Sequence, residues 1–397
     1  MRDGWKATLL GEVITLQRGF DLPEGQRSPG AVPVVSSSGT TGNHADFKVR
    51  GPGVVTGRYG TLGEVFYIDS SFWPLNTTLW VKDFKGNDPL FVSYLLRTLN
   101  LGHHNAAGAV PGLNRNALHL LPVILPPRST QTQIAANLRA YDDLVENSTR
   151  RLKILEEMTE MMYREWFVNF RFPGHKKVKL VQSELGRIPD GWCQPYPDYV
   201  DYLEGPGLRR WQYRDSGLRF LNIRTIADGD IDLSKTQFVD PVEAQAKYRH
   251  FLVSEYDHVV SSSGTIGRIV TVRREHLPLM LNTSVIRMRP KTDSVGKWQL
   301  KHFLKSDYFQ TQIKSFASGV AQMNFGPSHL KQMNIIAPTQ EIGMAYEGLV
   351  APMEELVCNL TAKAAVLRQT RDFLLPKLIS GEVRGEYLEH EIASQTS

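Results

Sequence analysis

Apolar residues run along this chain in two rhythms. Val32-Pro33-Val34-Val35, Gly53-Val54-Val55-Thr56, Val65-Phe66-Tyr67-Ile68 and Thr78-Leu79-Trp80-Val81 are short β-like runs punctuated by Gly and Pro. Phe91–Leu99 reads as a helix with Leu95 and Leu99 on one side. The rhythm then changes. Ile134, Leu138, Tyr141, Val145, Ser148, Leu152, Leu155, Thr159, Met162 and Trp166 fall at alternating steps of four and three, a heptad seam with polar residues only at Ser148 and Thr159. The predicted helix opens on a capping box of Thr130 and Gln133 and runs to about Phe170, where Phe172-Pro173-Gly174 stops it. At 1.5 Å per residue, some 40 residues span about 60 Å.

The same succession then returns. Leu252-Val253, His258-Val259-Val260, Arg268-Ile269-Val270-Thr271-Val272 and Val285-Ile286-Arg287-Met288 read as strands, and Trp298–Asp307 as a helix. After Pro338-Thr339 a second seam follows through Tyr346, Leu349, Met353, Leu356, Leu360, Lys363, Leu367, Thr370 and Leu374. Pro352 is expected to kink this helix or mark its start, Pro376 to end it, and Gly381 to sit in the turn beyond.

These rhythms belong to one unit written twice. Gly4-Trp5 recurs as Gly191-Trp192, and Arg58-Tyr59-Gly60-Thr61-Leu62-Gly63 as Ser262-Ser263-Gly264-Thr265-Ile266-Gly267. Leu75-Asn76-Thr77-Thr78 matches Leu281-Asn282-Thr283-Ser284, Gly112-Leu113-Asn114 matches Gln322-Met323-Asn324, and Leu125-Pro126-Pro127 matches Ile336-Ala337-Pro338. The spacings agree: 16 and 18 residues from the loop glycine (60, 264) to the first Asn, then 38 and 42 to the second, then 13 and 14 to the Pro. Only the opening interval differs much, 55 residues from Trp5 to Gly60 against 72 from Trp192 to Gly264. Matches in one order at near-equal spacing mark an internal repeat. Two long seams that each close a repeat are best explained by packing on one another. Related by a twofold axis, they run antiparallel, hold the globular parts at opposite ends and act as a ruler.

Composition narrows the classes. A length of 397 residues suggests two or three domains, and 41% hydrophobic with 22% charged residues is an ordinary globular mix. No run approaches the roughly 20 apolar residues of a membrane span, and Met1-Arg2-Asp3-Gly4-Trp5-Lys6 lacks the apolar core of a signal peptide. Cys193 and Cys358 are too few for a disulfide framework or a four-ligand cysteine site, so a cytoplasmic protein is expected. The net charge, 46 − 41 = +5, is compatible with a polyanionic partner without establishing one.

No motif of catalysis stands out. There is no phosphate-binding loop of the G-x-x-x-x-G-K-[S/T] kind, no Gly-x-Ser-x-Gly elbow and no His pair at metal-ligand spacing. Leu125-Pro126-Pro127-Arg128 has the two prolines of an amino-group methyltransferase motif but neither flanking residue. The distinctive loops are the two Gly-Thr-x-Gly turns, 60–63 and 264–267, which serve as tight strand connections or bring amides and hydroxyls to a phosphate beside Arg58 or Arg268. Thr61, Thr265, Tyr59, Ser262 and Ser263 belong to these loops, and Ser36-Ser37-Ser38 to a second hydroxyl-rich one that reads equally as linker. Asn76 and Asn282 cap a turn or read a base edge, and Asn114, Arg115, Gln322 and Asn324 offer groups that pair with adenine and guanine.

Three passages carry a family likeness. They are Tyr163-Arg164-Glu165-Trp166-Phe167-Val168-Asn169-Phe170-Arg171-Phe172-Pro173-Gly174-His175, Ser183-Glu184-Leu185-Gly186-Arg187-Ile188-Pro189-Asp190-Gly191-Trp192 and Leu374-Leu375-Pro376-Lys377-Leu378-Ile379-Ser380-Gly381-Glu382. With the doubled layout, they resemble the specificity subunit of type I restriction-modification systems. Ile342 departs from the pattern, standing where the first copy has Gln131. The resemblance implies an α+β fold of two pseudo-twofold-related target-recognition domains separated by two long antiparallel coiled-coil helices. The expected division is 1–128 and 173–338 for the recognition domains, 129–172 and 339–383 for the central and distal helices, and 384–397 for a polar tail. The seam is carried by Leu138, Val145, Leu152, Leu155 and Met162 on one helix and Leu349, Leu356, Leu360, Leu367 and Leu374 on the other.

The resemblance further implies a chain with no catalysis or cofactor of its own. Each domain binds one half of a split double-stranded DNA site. The helices set the gap and carry two methylation subunits that use S-adenosylmethionine, joined by motor-nuclease subunits that use ATP and Mg²⁺. Arg58, Arg115, Lys176, Lys177, Arg268, Arg273 and Arg274 become candidates for phosphate contact. Two other classes stay open: a solitary or fused restriction or methylation enzyme, and a protein-only coiled-coil scaffold.

Overall fold

The computed structural model describes residues 4–104, 112–183, 186–227, 229–316 and 324–383. Gln322 and the tail 384–397 lie outside these described residues. The chain forms two compact units: one takes the described residues up to Asn147 and those from Ala364 onward, the other Ser148–Lys363. Each long helix contributes one part to each unit.

In the first unit Thr15–Arg18, Thr78–Asp83, Gly53–Gly57 and Val65–Ile68 lie side by side in that order, every pair antiparallel. Gly53–Gly57 is buried along its whole length because both faces are covered, which is why it reads as an unbroken apolar run. Val54 joins Leu79, Phe91 and Leu95 in the main core, while Val55 packs with Val35 and Phe72 in a smaller cluster. A second sheet holds Gly39–His44, Val32–Ser36 and Trp73–Pro74, the last pair parallel. Lys6–Leu9 pairs with Pro122–Leu125 and so clips the beginning of the unit to the residues before the long helix.

The second unit repeats this plan. Val200–Glu204, Val285–Pro290, His258–Ser261 and Ile269–Thr271 form the same four-stranded antiparallel order. Leu218–Leu221 pairs in parallel with Leu279–Leu281, as Val32–Ser36 does with Trp73–Pro74, and Cys193–Pro195 clips to Asn334–Ile336. Gln237–Val239 pairs antiparallel with Leu218–Leu221 as Gly39–His44 does with Val32–Ser36, and the longer opening interval adds Tyr213–Arg214 and the helix Pro241–Lys247, which have no counterpart among the described residues of the first unit. Leu252-Val253 forms no strand; Leu252 makes only an isolated bridge to Met280. The expected helix Trp298–Asp307 is two helices, Lys297–Lys305 and Asp307–Phe316.

The long helices differ from expectation in their ends and in one seam. The first spans Arg128–Tyr163 and continues as a π-helical turn, Arg164–Val168. The Gln131 N–H donates to the Pro127 carbonyl at 3.0 Å, so Thr130 lies within the first turn and the expected capping box does not form. Gln131 is buried instead, donating to Asn87 and Pro126 and accepting from the Asp88 N–H. The second helix runs unbroken over Gln340–Ile379, through both Pro352 and Pro376. Buried Leu374 and Leu378 flank Pro376 and hold the helix past the lost hydrogen bond. It ends where Gly381, at φ +76°, donates to the Leu378 carbonyl.

The seam of this second helix is out of phase by one residue at alternate positions. Leu349 is exposed while Val350 is fully buried, Val357 replaces Leu356 as the more buried residue, and Ala364 stands where Lys363 was expected. Tyr346, Leu360, Leu367 and Leu374 serve both phases. A charged Lys363 cannot enter an apolar seam without losing its hydration, so the small Ala364 faces inward. The seam of the first helix stands as expected near its ends, with Leu138, Tyr141 and Trp166 buried, and Ser148 and Thr159 buried with them. Leu152, Leu155 and Met162 are half-buried, and Val145 is partly buried against the core of the first unit.

In each unit, the start of one long helix packs with the end of the other. In the first unit Ile134, Leu138 and Tyr141 share a core with Leu367, Leu374 and Leu378. In the second, Tyr163, Trp166 and Phe167 share one with Tyr346 and Val350. Both contacts contain a carboxylate anchor. Asp142 accepts from the Tyr94 hydroxyl at 2.7 Å and from Arg371 at 2.6 Å. Glu354 pairs with Lys301 and accepts from His302 at 2.8 Å, with the Tyr346 hydroxyl 2.9 Å from the other His302 nitrogen.

Candidate nucleic-acid interface

The Gly-Thr-x-Gly loop folds tightly on itself for steric reasons. A Cβ on Gly57 would lie 1.9 Å from the Thr61 carbonyl, and Gly60 and Gly63 sit at φ +78° and +79°, where a side chain is strained. The loop is pinned by its neighbours. Arg58 and Tyr59 donate their N–H groups to Thr77, and Leu113 donates to the Arg58 carbonyl at 3.0 Å. Gly112 lets the Tyr59 ring lie against the backbone, since a Cβ there would fall 2.4 Å from the ring.

These constraints build a cleft of about 480 Å³. Arg18, Arg58 and Arg115 wall it, Asn114 and Asn116 line its rim, and Leu79 and Leu113 complete it; among the described residues none of its lining is acidic. The Arg58 guanidinium lies 4.3 Å from the centre of the Tyr59 ring, a stacking that orients it. Arg18 makes only a loose exposed pair with Asp21 at 3.7 Å. Asn114 accepts from the Asn116 N–H at 2.9 Å as the cap of Arg115–His119. Its amide nitrogen remains available, but the bidentate pairing with adenine expected of it needs the carbonyl as well. Asn116 is exposed with both groups available. Such a surface suits a phosphate backbone and base edges together.

The hydrogen bonds locate the equivalent surface in the second unit and correct the sequence alignment. Gly57 and Ser261 accept matching bonds from Gly63 and Gly267, so the two loops align as the repeat predicted. Leu113 donates to Arg58 and Phe325 donates to Ser262, each at 3.0 Å, so Asn114 corresponds to Gly326 and not to Asn324. Thr78 donates to Leu75 and Val285 to Asn282, so Asn76 corresponds to Thr283 and not to Asn282. Arg18 faces Leu79 across its ladder as Glu204 faces Ile286, and Gly19 and Gly205 press on Leu75 and Asn282. The three arginine positions of the first unit thus hold Glu204, Ser262 and Pro327 in the second.

Several predicted residues are buried or engaged with neighbouring side chains. Asn282 is buried, its Oδ1 accepting from the Thr283 N–H and hydroxyl, and Asn76 donates to Asp21. Ser37 is buried beneath Gly60, and Ser262 beneath Ser284 and Phe325. Arg273 is 9% exposed and held by Asp230 at 2.8 Å and Glu275 at 2.5 Å; it lines a cleft with Thr149, Leu152 and Cys358 of the long helices. Its charge is spent there and cannot serve a phosphate.

Ser36 closes its own turn by accepting from the Ser38 N–H, leaving Ser38 exposed. Thr61, Thr265 and Arg274 are exposed, Ser263 is half-buried and bridges Asn324, and Lys176 and Lys177 are exposed on a separate turn, His175–Lys177. Arg268 is exposed but donates to the Ile226 carbonyl at 3.0 Å. The sequence reading missed Arg18, Glu204 and Arg224. Arg224 stands where Ser38 does, because Asn222 accepts from its N–H at 2.8 Å as Ser36 does from Ser38. The available signal was the glycine that follows both Arg18 and Glu204.

Comparison with known proteins agrees with this architecture. Residues 2–157 match the family described as type I restriction modification DNA specificity domain. The type I restriction enzyme MjaIX specificity subunit of Methanocaldococcus jannaschii is 24% identical over 309 residues, 75% of this chain and 70% of that protein. The HindI specificity subunit of Haemophilus influenzae is 22% identical over 338 residues, 70% of this chain and 72% of that protein. The S subunit of a type I restriction-modification system from M. genitalium superposes with a TM-score of 0.68 at 15% identity, covering 94% of this chain and 96% of that one, and so shares its fold. The comparisons thus agree with the resemblance read from the sequence: residues 2–157 match the type I specificity domain, and the chain is similar to type I restriction enzyme specificity subunits.

Proposed function

We propose that this chain is the DNA sequence-recognition subunit of a type I restriction-modification complex, each unit reading one half of a split duplex target. The observation that carries this is one scaffold built twice, with Arg18, Arg58 and Arg115 walling a cleft whose described lining is free of acidic residues in the first copy. Arginines on phosphates set register, while Asn116 and the Asn114 amide face base edges. The names of the relatives as specificity subunits support the same reading.

The chemistry belongs to partners in this reading. Methylation subunits using S-adenosylmethionine dock on the long helices, where Ile154, Met158, Met161 and Val168 stay exposed on the first. Motor-nuclease subunits using ATP and Mg²⁺ complete the complex. The helices set the gap between half-sites through their length. Mapping modified adenines in DNA from cells carrying the chain with its methylation subunits tests the proposal. The expected result is two short defined half-sites with one constant gap, and modification of a single continuous sequence contradicts it.

A further inference from the structure

At the position of Arg18 in the cleft of the first unit, the second unit holds a residue of opposite sign, Glu204. Glu204 ends the strand Val200–Glu204 as Arg18 ends Thr15–Arg18, and the following glycines make the same backbone contact. Arg18 and the cap residue Asn114 line one cleft; Glu204 Oε2 lies 3.9 Å from where a Cβ on the cap residue Gly326 would be. Among the described residues no cation or hydrogen-bond donor is paired with the Glu204 carboxylate, although Arg287 and Arg289 on the neighbouring strand are paired with Asp201 and Asp257. Partial burial raises its pKa above the ordinary glutamate value. A half-buried carboxylate left unpaired costs free energy that a surface position would avoid.

Ionised, this group only accepts hydrogen bonds, and it repels phosphate. Along the major groove the donors are the amino groups of cytosine and adenine. Adenine sets its N7 acceptor beside that amino group, which opposes a carboxylate, whereas cytosine presents a C–H there. We propose that Glu204 reads the exocyclic amino group of a cytosine in the half-site bound by the second unit. This rests on the DNA-reading function proposed above, and its test is separable from it.

The complex of the full chain with its methylation subunits is first used to define the target by mapping modified adenines. Duplexes are then made in which each cytosine of the second half-site in turn becomes 2-pyrimidinone, which lacks the amino group. The wild-type complex is expected to lose about five- to hundredfold in affinity at one such position. The Glu204→Ala complex is expected to be insensitive at that position while discriminating the first half-site as before. A wild-type complex indifferent to every such replacement overturns the assignment, as does a second half-site with no cytosine on either strand. Retained sensitivity in Glu204→Ala overturns it too. Absence of any split target removes the underlying function instead.

Discussion

The two grooves rest on equivalent sets of four strands in the same order, yet the positions that hold Arg18, Arg58 and Arg115 in one hold Glu204, a buried Ser262 and Pro327 in the other. What the copies share is what the backbone demands: Gly60 and Gly264 at positive φ, Gly19 and Gly205 against the facing chain, and buried aliphatics in the central strands. What they do not share lies on side chains that point away from those demands. The second unit instead carries a cation at Arg224, where the first has Ser38. The fold thus constrains where a reader can stand and leaves its charge open, which suits one scaffold to two different half-sites.

The anchors between helix and domain differ as well, and removing them sharpens the contrast. Lys301→Met leaves Glu354 buried and short of a cation, and is expected to destabilise the second unit by about 3–5 kcal/mol. Arg371→Met is expected to cost the first unit less, about 1–2 kcal/mol, because Asp142 keeps Tyr94 and Arg97 and is more open to solvent. Hydrogen exchange followed separately in peptides of each unit measures both. Equal losses would show the two anchors to be equivalent.

The corrected seam is tested at a pair of adjacent residues. Val350→Ala is expected to cost about 2 kcal/mol and Leu349→Ala less than about 0.5 kcal/mol, read from thermal or denaturant unfolding. The reverse ranking would restore the phase first expected from sequence.

At the grooves, Arg58→Ala is expected to weaken DNA binding several-fold and to flatten the logarithmic salt dependence by about 0.9. Ser262→Ala, at the equivalent but buried position, is expected to leave the salt slope unchanged. An unchanged slope for Arg58→Ala removes it from the phosphate contacts.

Acid should also separate the units. The Glu354 carboxyl is held down to about 2 by His302 and Lys301 despite its burial, and desolvation lowers His258 to about 3. In the unfolded chain these groups titrate near about 4.3 and 6.5. Across those windows the unfolded state binds more protons, so the stability is present at neutral pH and lost as pH falls, from about 6.5 for His258 and from about 4.3 for Glu354. In the first unit the lowered groups include the Asp88 and Asp142 carboxyls and, by desolvation, His119, which is displaced less than His258. The exchange protection of the first unit is expected to survive to lower pH than that of the second unit.

Much of the architecture was legible in the sequence because glycine positions, apolar rhythm and interval lengths report backbone requirements directly. The strands Gly53–Gly57 and Val65–Ile68 and the loop pair at Gly60 and Gly264 are of this kind. The groove was less legible. Matching Asn76 to Asn282 followed residue identity, but the turn hydrogen bonds put Thr283 opposite Asn76, because the chain from the loop glycine is 19 residues long there against 16 in the first unit. Arg273 looked like a surface cation until Asp230, 43 residues away, was seen to neutralise it. Such pairings depend on the fold, and spacing along the chain carries no trace of them. Pro376 misled for the opposite reason, since a local rule yields when buried neighbours hold the helix on both sides.

The account stands or falls on each groove reading its own half of the target. Giving the first groove the chemistry of the second, by Arg18→Glu with Arg58→Ser, and mapping the modified adenines tests this directly. The predicted result is a changed first half-site with the second half-site and the gap retained. A change in both half-sites, or in neither while modification continues, would contradict it.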